Sequence, residues 1–462
     1  MRRWFVLLAL ACVGAAPAEP QVSVAVARGA DGGWTVDYAF PEQPRAWAFV
    51  RSNPDWTNVP WRQLGWTVET PGVTLIRAGE HDALVADGAM PTKVRIRFKP
   101  FSKALRADYT PALAFSDGGV ALYSDHFTVA PRASIAAVAT DDGGEVANIV
   151  TFSDPGKRLV AKGKVLNATA VRERDDPPIY VYSGDAPIVE TPAIAAIFDP
   201  GLPTWLRAEV EDFVPKLFGL YRARLGDPKG NRPMAMIAWR KDGQGGANAS
   251  FSFSGSVLPG LVVMDLGGKA AAQPSAEVAT KLRWFLGHES SHFWMGETLG
   301  YASRGDAWIT EGSADLMAIR ALETLKPGYD ARAELQKSLD ECLLVNGREP
   351  LGTAERRGVP RANYACGAML ALAAEAAERR QDPNADVFTW LRRLMQANRA
   401  KGRIDTQAWA QAYAERAGDR VVARRVIGFV SDGVADPAAF LAELFTTSGV
   451  KFARAGDTLN LL

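Results

Sequence analysis

The sequence predicts a multidomain chain, with an all-β domain at its N-terminal end, a central α+β domain and an α-helical region towards the C-terminus. Three observations carry this expectation. Period-two hydrophobic runs broken by Gly, Pro and Asp extend from Gln21 to about Glu190. A change of composition at Thr191-Pro192 opens a stretch in which helical and β-like runs mix. From Tyr329 onward the chain is rich in Ala, Arg and Leu and helical in period throughout. The domains are therefore expected at 19–190, 191–328 and 329–462.

Ahead of them, residues 1–18 read as a signal peptide. Arg2 and Arg3 give a basic start, Trp4 to Val13 an apolar run, and Ala16-Pro17-Ala18 a cleavage site before Glu19. The run is too short to span a bilayer as a stable helix, so an exported protein, periplasmic or secreted, is expected. Membrane anchoring is the alternative, through an uncut signal or a lipid on Cys12. Against the lipid, Ala9-Leu10-Ala11 lacks the aliphatic residue expected three positions upstream of that cysteine. No later segment is apolar enough to form an integral membrane span. Across 462 residues, 53 Lys plus Arg nearly cancel 52 Asp plus Glu. No global field thus favours nucleic acid or an anionic membrane as partner.

In the β domain, Val22 to Val26, Trp34 to Tyr38, Lys93 to Phe98 and Ile179 to Tyr182 alternate as half-buried strands do, and Ser116-Asp117-Gly118-Gly119 and Asp141-Asp142-Gly143-Gly144 mark turns. Trp34, Trp47, Trp56, Trp61 and Trp66 fall here. Core and turn packing is their expected role, a carbohydrate-binding face the alternative. His81 and His126 stand alone, as surface or hydrogen-bonded histidines.

In the central domain a helix is expected over Pro203 to Leu225, kinked or split at Pro215. Strands follow at Met234 to Trp239 and Leu261 to Leu266, with Gly243 to Ser256 between them as an edge strand or loop. Ser275 is placed to cap a helix that runs to Met295 and stops near Gly296. Asp306 is placed to cap the next, which turns Trp308, Ile309, Leu316, Ile319 and Leu322 inward before Lys326-Pro327-Gly328. Six further helices are expected, at about Tyr329–Val345, Pro360–Arg380, Asp386–Ala400, Thr406–Arg416, Arg420–Val430 and Pro437–Thr447. A loop from Gly347 to Val359 precedes the helix that carries Tyr364.

The chemistry concentrates in Gly287-His288-Glu289-Ser290-Ser291-His292. On a helix, positions four apart lie on one face, so both imidazoles can address one metal ion while Glu289 hangs beside it. A catalytic zinc takes three protein ligands and keeps a fourth position for water. Glu311, with eighteen residues between it and His292, is the candidate third ligand. Asp315, one turn on, is placed to orient the His288 ring from outside the ligand set. A solvated helix carboxylate is the alternative for Asp315.

The stretch His288-Glu289-Ser290-Ser291-His292-Phe293-Trp294-Met295-Gly296, followed by Asp306-Ala307-Trp308-Ile309-Thr310-Glu311-Gly312, resembles the zinc site of the aminopeptidase N-like gluzincin metallopeptidases. That family reads His-Glu-x-x-His-x-Trp-x-Gly and then, after the same spacing, Trp-Leu-x-Glu-Gly. Tyr364-Ala365-Cys366-Gly367, beginning fifty-three residues after Glu311, resembles its Tyr-x-x-Gly motif. The resemblance implies a thermolysin-like central domain and one zinc ion held by His288, His292 and Glu311. It also implies Glu289 as general base, Tyr364 as donor to the tetrahedral oxyanion, and a peptide or protein as substrate. Ile309 stands where the family has leucine, and Tyr364 follows a little closer than the family's some sixty residues; the departure that matters is that the Gly-x-Met-Glu-Asn strand motif, whose glutamate binds the substrate's α-amine, has no counterpart, because Gly243 to Ser275 contains no glutamate. Asp265 or a backbone carbonyl would have to take its place, and exopeptidase and endopeptidase both stay open. Two other classes compete with a zinc metallopeptidase: a non-catalytic zinc-containing binding or assembly protein, and a zinc hydrolase of a non-peptide bond.

Cys12 leaves with the signal, so Cys342 and Cys366 remain as a candidate disulfide, two unrelated buried thiols being the alternative. A bond between them would close a loop of about 25 residues at the start of the Tyr364 helix, worth about 3 kcal/mol in the chain-entropy model. It would position the tyrosine.

Overall fold

The computed structural model describes residues 20–230, 232–240 and 252–462. The signal segment and residues 241–251, most of the stretch expected as an edge strand or loop, lie outside them. The described chain divides into two compact units. One takes the chain up to Pro111 together with Tyr123–Pro155 and Thr169–Asp176; the other takes Ala112–Leu122, Gly156–Ala168 and Pro177–Leu462. The boundaries expected at 190 and 328 are therefore not the seams of packing.

The first unit is built on a six-stranded and a four-stranded sheet. In the first the order is Thr169–Arg172, Ala147–Ser153, Gln21–Arg28, Trp34–Ala39, Lys93–Phe98 and Trp66–Val68; in the second it is Val129–Arg132, Ala46–Phe49, His81–Ala86 and Val73–Ala78. Alternation dictates the buried face: Val22, Val24 and Val26 are inside, as are Val36, Tyr38, Val94, Ile96 and Phe98 on paired strands. Trp34, Trp47, Trp61 and Trp66 are buried among these side chains and only Trp56, at 66%, is exposed. Packing is thus the role of four of the five tryptophans. Two short helices, α1 (Arg62–Gly65) and α2 (Ile135–Ala139), join this unit. His126 is buried and hydrogen-bonded to the Tyr109 carbonyl at 2.9 Å; His81 opens a strand, half-buried.

The second unit explains why 190 is no boundary. Lys164–Leu166, Arg158–Ala161, Tyr180–Gly184, Val120–Tyr123 and Ala112–Ala114 form a five-stranded sheet that belongs mainly to it. A second five-stranded sheet runs Ile188–Glu190, Ala195–Phe198, Met234–Arg240, Leu261–Gly267 and Ser252–Leu258. Its central pairs are parallel and both outer strands antiparallel. Continuous apolar runs such as Met234-Ala235-Met236-Ile237-Ala238 suit strands covered on both faces. Of the stretch from Gly243 to Ser256, expected as an edge strand or loop, the described part belongs to the edge strand Ser252–Leu258.

Helices supply the rest: α3 (Thr204–Leu225), α4 (Ala276–Ser291), α5 (Ala307–Leu325), α6 (Ala331–Asn346), α7 (Arg361–Gln381), α8 (Val387–Ala397), α9 (Thr406–Ala417), α10 (Arg420–Ser431) and α11 (Pro437–Ser448). α3 runs through Pro215 as one element instead of splitting, its apolar face buried on both sides of the proline at Phe213, Val214, Leu217 and Phe218. The chain ends in a hairpin, Phe452–Ala455 with Thr458–Leu461, that the helical pattern did not suggest. One continuous core joins residues of α3 to α11, which is why no seam falls at 328. No helix among the described residues is long and apolar enough to cross a membrane.

Candidate metal centre

Ser275 caps α4 as expected, its hydroxyl accepting from the Val278 amide at 3.3 Å. The helix carries His288 and Glu289 in its last turn and ends at Ser291, earlier than expected. Beyond it the chain widens into a π-type turn over Phe293–Thr298, in which Gly296 adopts φ 157° and ψ −66°. That turn aims the Met295 carbonyl at His292 Nδ1, 3.0 Å away. A carbonyl only accepts, so Nδ1 carries the proton and Nε2 the lone pair. On the other imidazole, Nδ1 donates to Asp315 Oδ1 at 2.7 Å. Asp315 is buried, so the alternative of a solvated carboxylate fails.

Both Nε2 lone pairs then face one point, 3.2 Å apart. Glu311 Oε2 joins them at 3.4 Å from His288 Nε2 and 3.5 Å from His292 Nε2. It is buried and has no hydrogen-bond partner. Three ligands at zinc-like bond lengths in a tetrahedron lie about 3.3 Å from one another. The donor set, its spacing, its paired lone pairs and its unsatisfied carboxylate oxygen all fit a zinc ion.

The local field points the same way. Burial alone would lower the His288 pKa, but Asp315 and then Glu311 outweigh it and push it up to about 10. His292 is raised by Glu311 against the same burial. Glu311, which burial would raise, is held well below the usual carboxylate range by the two imidazoles. The pocket favours positive charge at its centre. Burial raises the Glu289 carboxyl, opposed by His288 and His292. Burial and then the carboxylates of Glu311 and Glu289 raise Tyr364, which stays a neutral phenol at pH 7.

Close helix packing brings Glu311 and Tyr364 to this point. α5 and α7 cross at Gly312 and Gly367: a Cβ on Gly312 would sit 2.0 Å from the Gly367 carbonyl carbon, and one on Gly367 would sit 2.3 Å from the Trp308 oxygen. Each glycine neighbours a predicted site residue, one directly after Glu311 and one three positions after Tyr364. Likewise, a Cβ on Gly287 would lie 3.0 Å from Ala318, where α4 meets α5. The Tyr364 ring stacks on His288, with centroids 5.4 Å apart and planes inclined by 19°. Cys342 and Cys366 are bonded, tying α6 to α7 two residues past Tyr364.

Other contributors lie outside His288-Glu289-Ser290-Ser291-His292. The Met295 carbonyl depends on backbone path alone. Trp284, tilted over His288 at 5.5 Å, is four residues before it and could have been found from helical spacing. Asp306 stands at the start of α5 but does not cap it. Its carboxylate instead accepts from the Thr406 amide at 2.9 Å and from Ser303 Oγ at 2.6 Å, because those donors lie within reach. Asp265, the carboxylate nearest in sequence to the missing motif, is paired with Arg240 at 2.9 Å.

No protein-family model and no curated protein matches this sequence. Solved structures do. An aminopeptidase N family protein from Idiomarina loihiensis is 11% identical with a TM-score of 0.62, over 94% of this chain and 79% of that one. Native yeast LTA4 hydrolase is 10% identical with a TM-score of 0.50, over 91% of this chain and 68% of that one. An M1 zinc metallopeptidase from Deinococcus radiodurans is 15% identical with a TM-score of 0.47, over 90% and 94%. At these identities what is shared is the fold, and the fold of this chain is that of the aminopeptidase N family protein.

Proposed function

We propose that this chain is an exported zinc-dependent metallopeptidase that hydrolyses peptide bonds in a peptide or protein substrate. The observation that carries the reading is the convergence of His288 Nε2, His292 Nε2 and the unpartnered Glu311 Oε2 on one buried point. These residues would hold one zinc ion. When bound, zinc supplies a Lewis acid that polarises a carbonyl and makes water acidic near neutral pH. Glu289, beside His288 at the end of α4, takes the proton from the attacking water and later returns it to the leaving amine. Tyr364 donates its phenolic hydrogen to the tetrahedral oxyanion, a role suited to a neutral donor held rigidly against the ligand His288. Asp315 keeps the His288 ring in the tautomer that presents Nε2.

Export is supported by the signal pattern ending at Ala18 and by the Cys342–Cys366 bond. Gly243 to Ser275 contains one carboxylate, Asp265, and its pairing with Arg240 leaves it committed elsewhere. The proposed reaction is therefore peptide-bond hydrolysis, with no uncommitted carboxylate in that stretch to anchor a substrate α-amine.

The test is Glu289→Gln against a mixed peptide library. Zinc content, measured by mass spectrometry, should equal that of the native protein, while turnover falls about 10²–10⁴-fold. Native protein that binds zinc yet cleaves no peptide in a Glu289-dependent way would sink the peptidase reading.

A further inference from the structure

Tyr364 is the fourth residue of α7, and a side chain in the first turn of a helix is only as well placed as that turn. The crossing at Gly312 and Gly367 sets the separation of α5 from α7. Two glycines in contact set how closely the helices approach, and burial along α7 fixes its axis; what remains is to hold the side chains of its first turn, which opens on the exposed Arg361.

We propose that α6 performs this task through Arg361 and Glu341, together with the Cys342–Cys366 bond, making Arg361 and Glu341 positioning residues for Tyr364. The inference rests on the peptidase reading for the role of Tyr364. Arg361 lies three residues before Tyr364, on the same helix face. Its guanidinium carbon stands 4.9 Å from the centroid of the Tyr364 ring. Glu341 holds that guanidinium by two bonds, from Nε at 3.0 Å and from Nη2 at 2.7 Å. The next residue on α6 is Cys342, bonded to Cys366 two positions beyond Tyr364. Consecutive α6 residues thus grip α7 on either side of the tyrosine in sequence. They point in different directions around α6, so one tie limits the motion the other leaves free.

Magnitudes separate positioning from bulk stability. Arg361 and Glu341 side chains are 47% and 32% exposed, and a pair so open to water contributes little to folding. A displacement of about 1 Å in a catalytic group, by contrast, costs up to about 10²-fold in turnover. The pair should matter far more to rate than to melting temperature.

The experiment uses the full-length exported protein with zinc bound. Glu341→Gln, Arg361→Met and Arg361→Lys are compared with Cys342→Ser/Cys366→Ser and with native protein. Zinc content, melting temperature, kcat and KM are measured for each on a peptide the native protein cleaves. A second readout needs no turnover: 3-fluorotyrosine is incorporated and the ¹⁹F resonance of Tyr364 is assigned by its loss in Tyr364→Phe.

Glu341→Gln and Arg361→Met are expected to lower kcat about ten- to a hundred-fold, with KM within about twofold and zinc content unchanged. Arg361→Lys should not rescue, since an ammonium cannot make the planar two-bond contact. The Tyr364 resonance should shift or broaden in all three and further in the cysteine double variant. A native kcat or an unmoved resonance in Glu341→Gln and Arg361→Met would overturn the proposal. Should native protein cleave no peptide at all, the peptidase reading falls, and the ¹⁹F resonance still decides whether α6 holds the ring.

Discussion

At the residue scale, a metal ligand depends on the bond its far side makes. His288 is held by a buried carboxylate and His292 by a backbone carbonyl, so only the first can be weakened without moving the chain. Asp315→Asn keeps the shape but loses the charge that fixes the ring. Zinc affinity should fall about 10–100-fold, as read by competition with a chromophoric chelator, and native affinity would refute the assignment. Asp265 gives a second prediction. Burial pushes its carboxyl up to about 7 from an ordinary value of 3.8, against the opposing pull of Arg240. Below 3.8 both folded and unfolded chains carry the proton, and no stability difference arises. Between 3.8 and about 7 the folded chain keeps a proton that the unfolded chain releases, so stability falls as pH rises through that window and the penalty stays constant above it. Asp265→Asn should remove this slope, at most about 1.4 kcal/mol per pH unit, in urea titrations from pH 5 to 8. Parallel native and variant curves would contradict it.

At the element scale, the site is a meeting of α4, α5 and α7, and glycine makes it close. Gly367→Ala would drive a methyl group into the Trp308 carbonyl, which is helix backbone and cannot step aside. A loss of about 1–3 kcal/mol is expected in denaturant unfolding, and a variant as stable as native protein would show that the helices separate freely. Most of this scale was readable beforehand. Periodicity located α6 to α11 within a few residues, and five of the six carry a side-chain cap: Asp330, Asp405, Asp419 and Asp436 each accept from a first-turn amide. A fifth, Asp386, closes a capping box on α8. Two residues' strongest local habits lost to their tertiary surroundings. Asp306 gave up its cap to hold Thr406, and Pro215 stayed inside a helix whose burial on either side of it keeps the element whole.

At the scale of the whole molecule, the proposed ligands come from α4, the residue just after it and α5, and the stacked tyrosine from α7, all joined in one core. Metal binding should therefore be felt as stability. At free zinc about 1,000-fold above its dissociation constant the folded state would gain about 4 kcal/mol. Calorimetry with and without a chelator should show a lower melting temperature on zinc removal, restored when zinc is returned; an indifferent transition would break the link.

The sequence by itself determined the order of element types, the four-residue spacing of two histidines, the glutamate that follows at a set distance and the tyrosine beyond it, since each rests on local periodicity or on motif spacing. Only the tertiary structure decided the rest. It interleaved strands of residues 112–184 between two compact units, paired Asp315 with His288, turned the Met295 carbonyl onto His292 and set Glu341 against Arg361. These depend on contacts between distant segments and on the backbone path through one irregular turn, and no hydrophobic period records either.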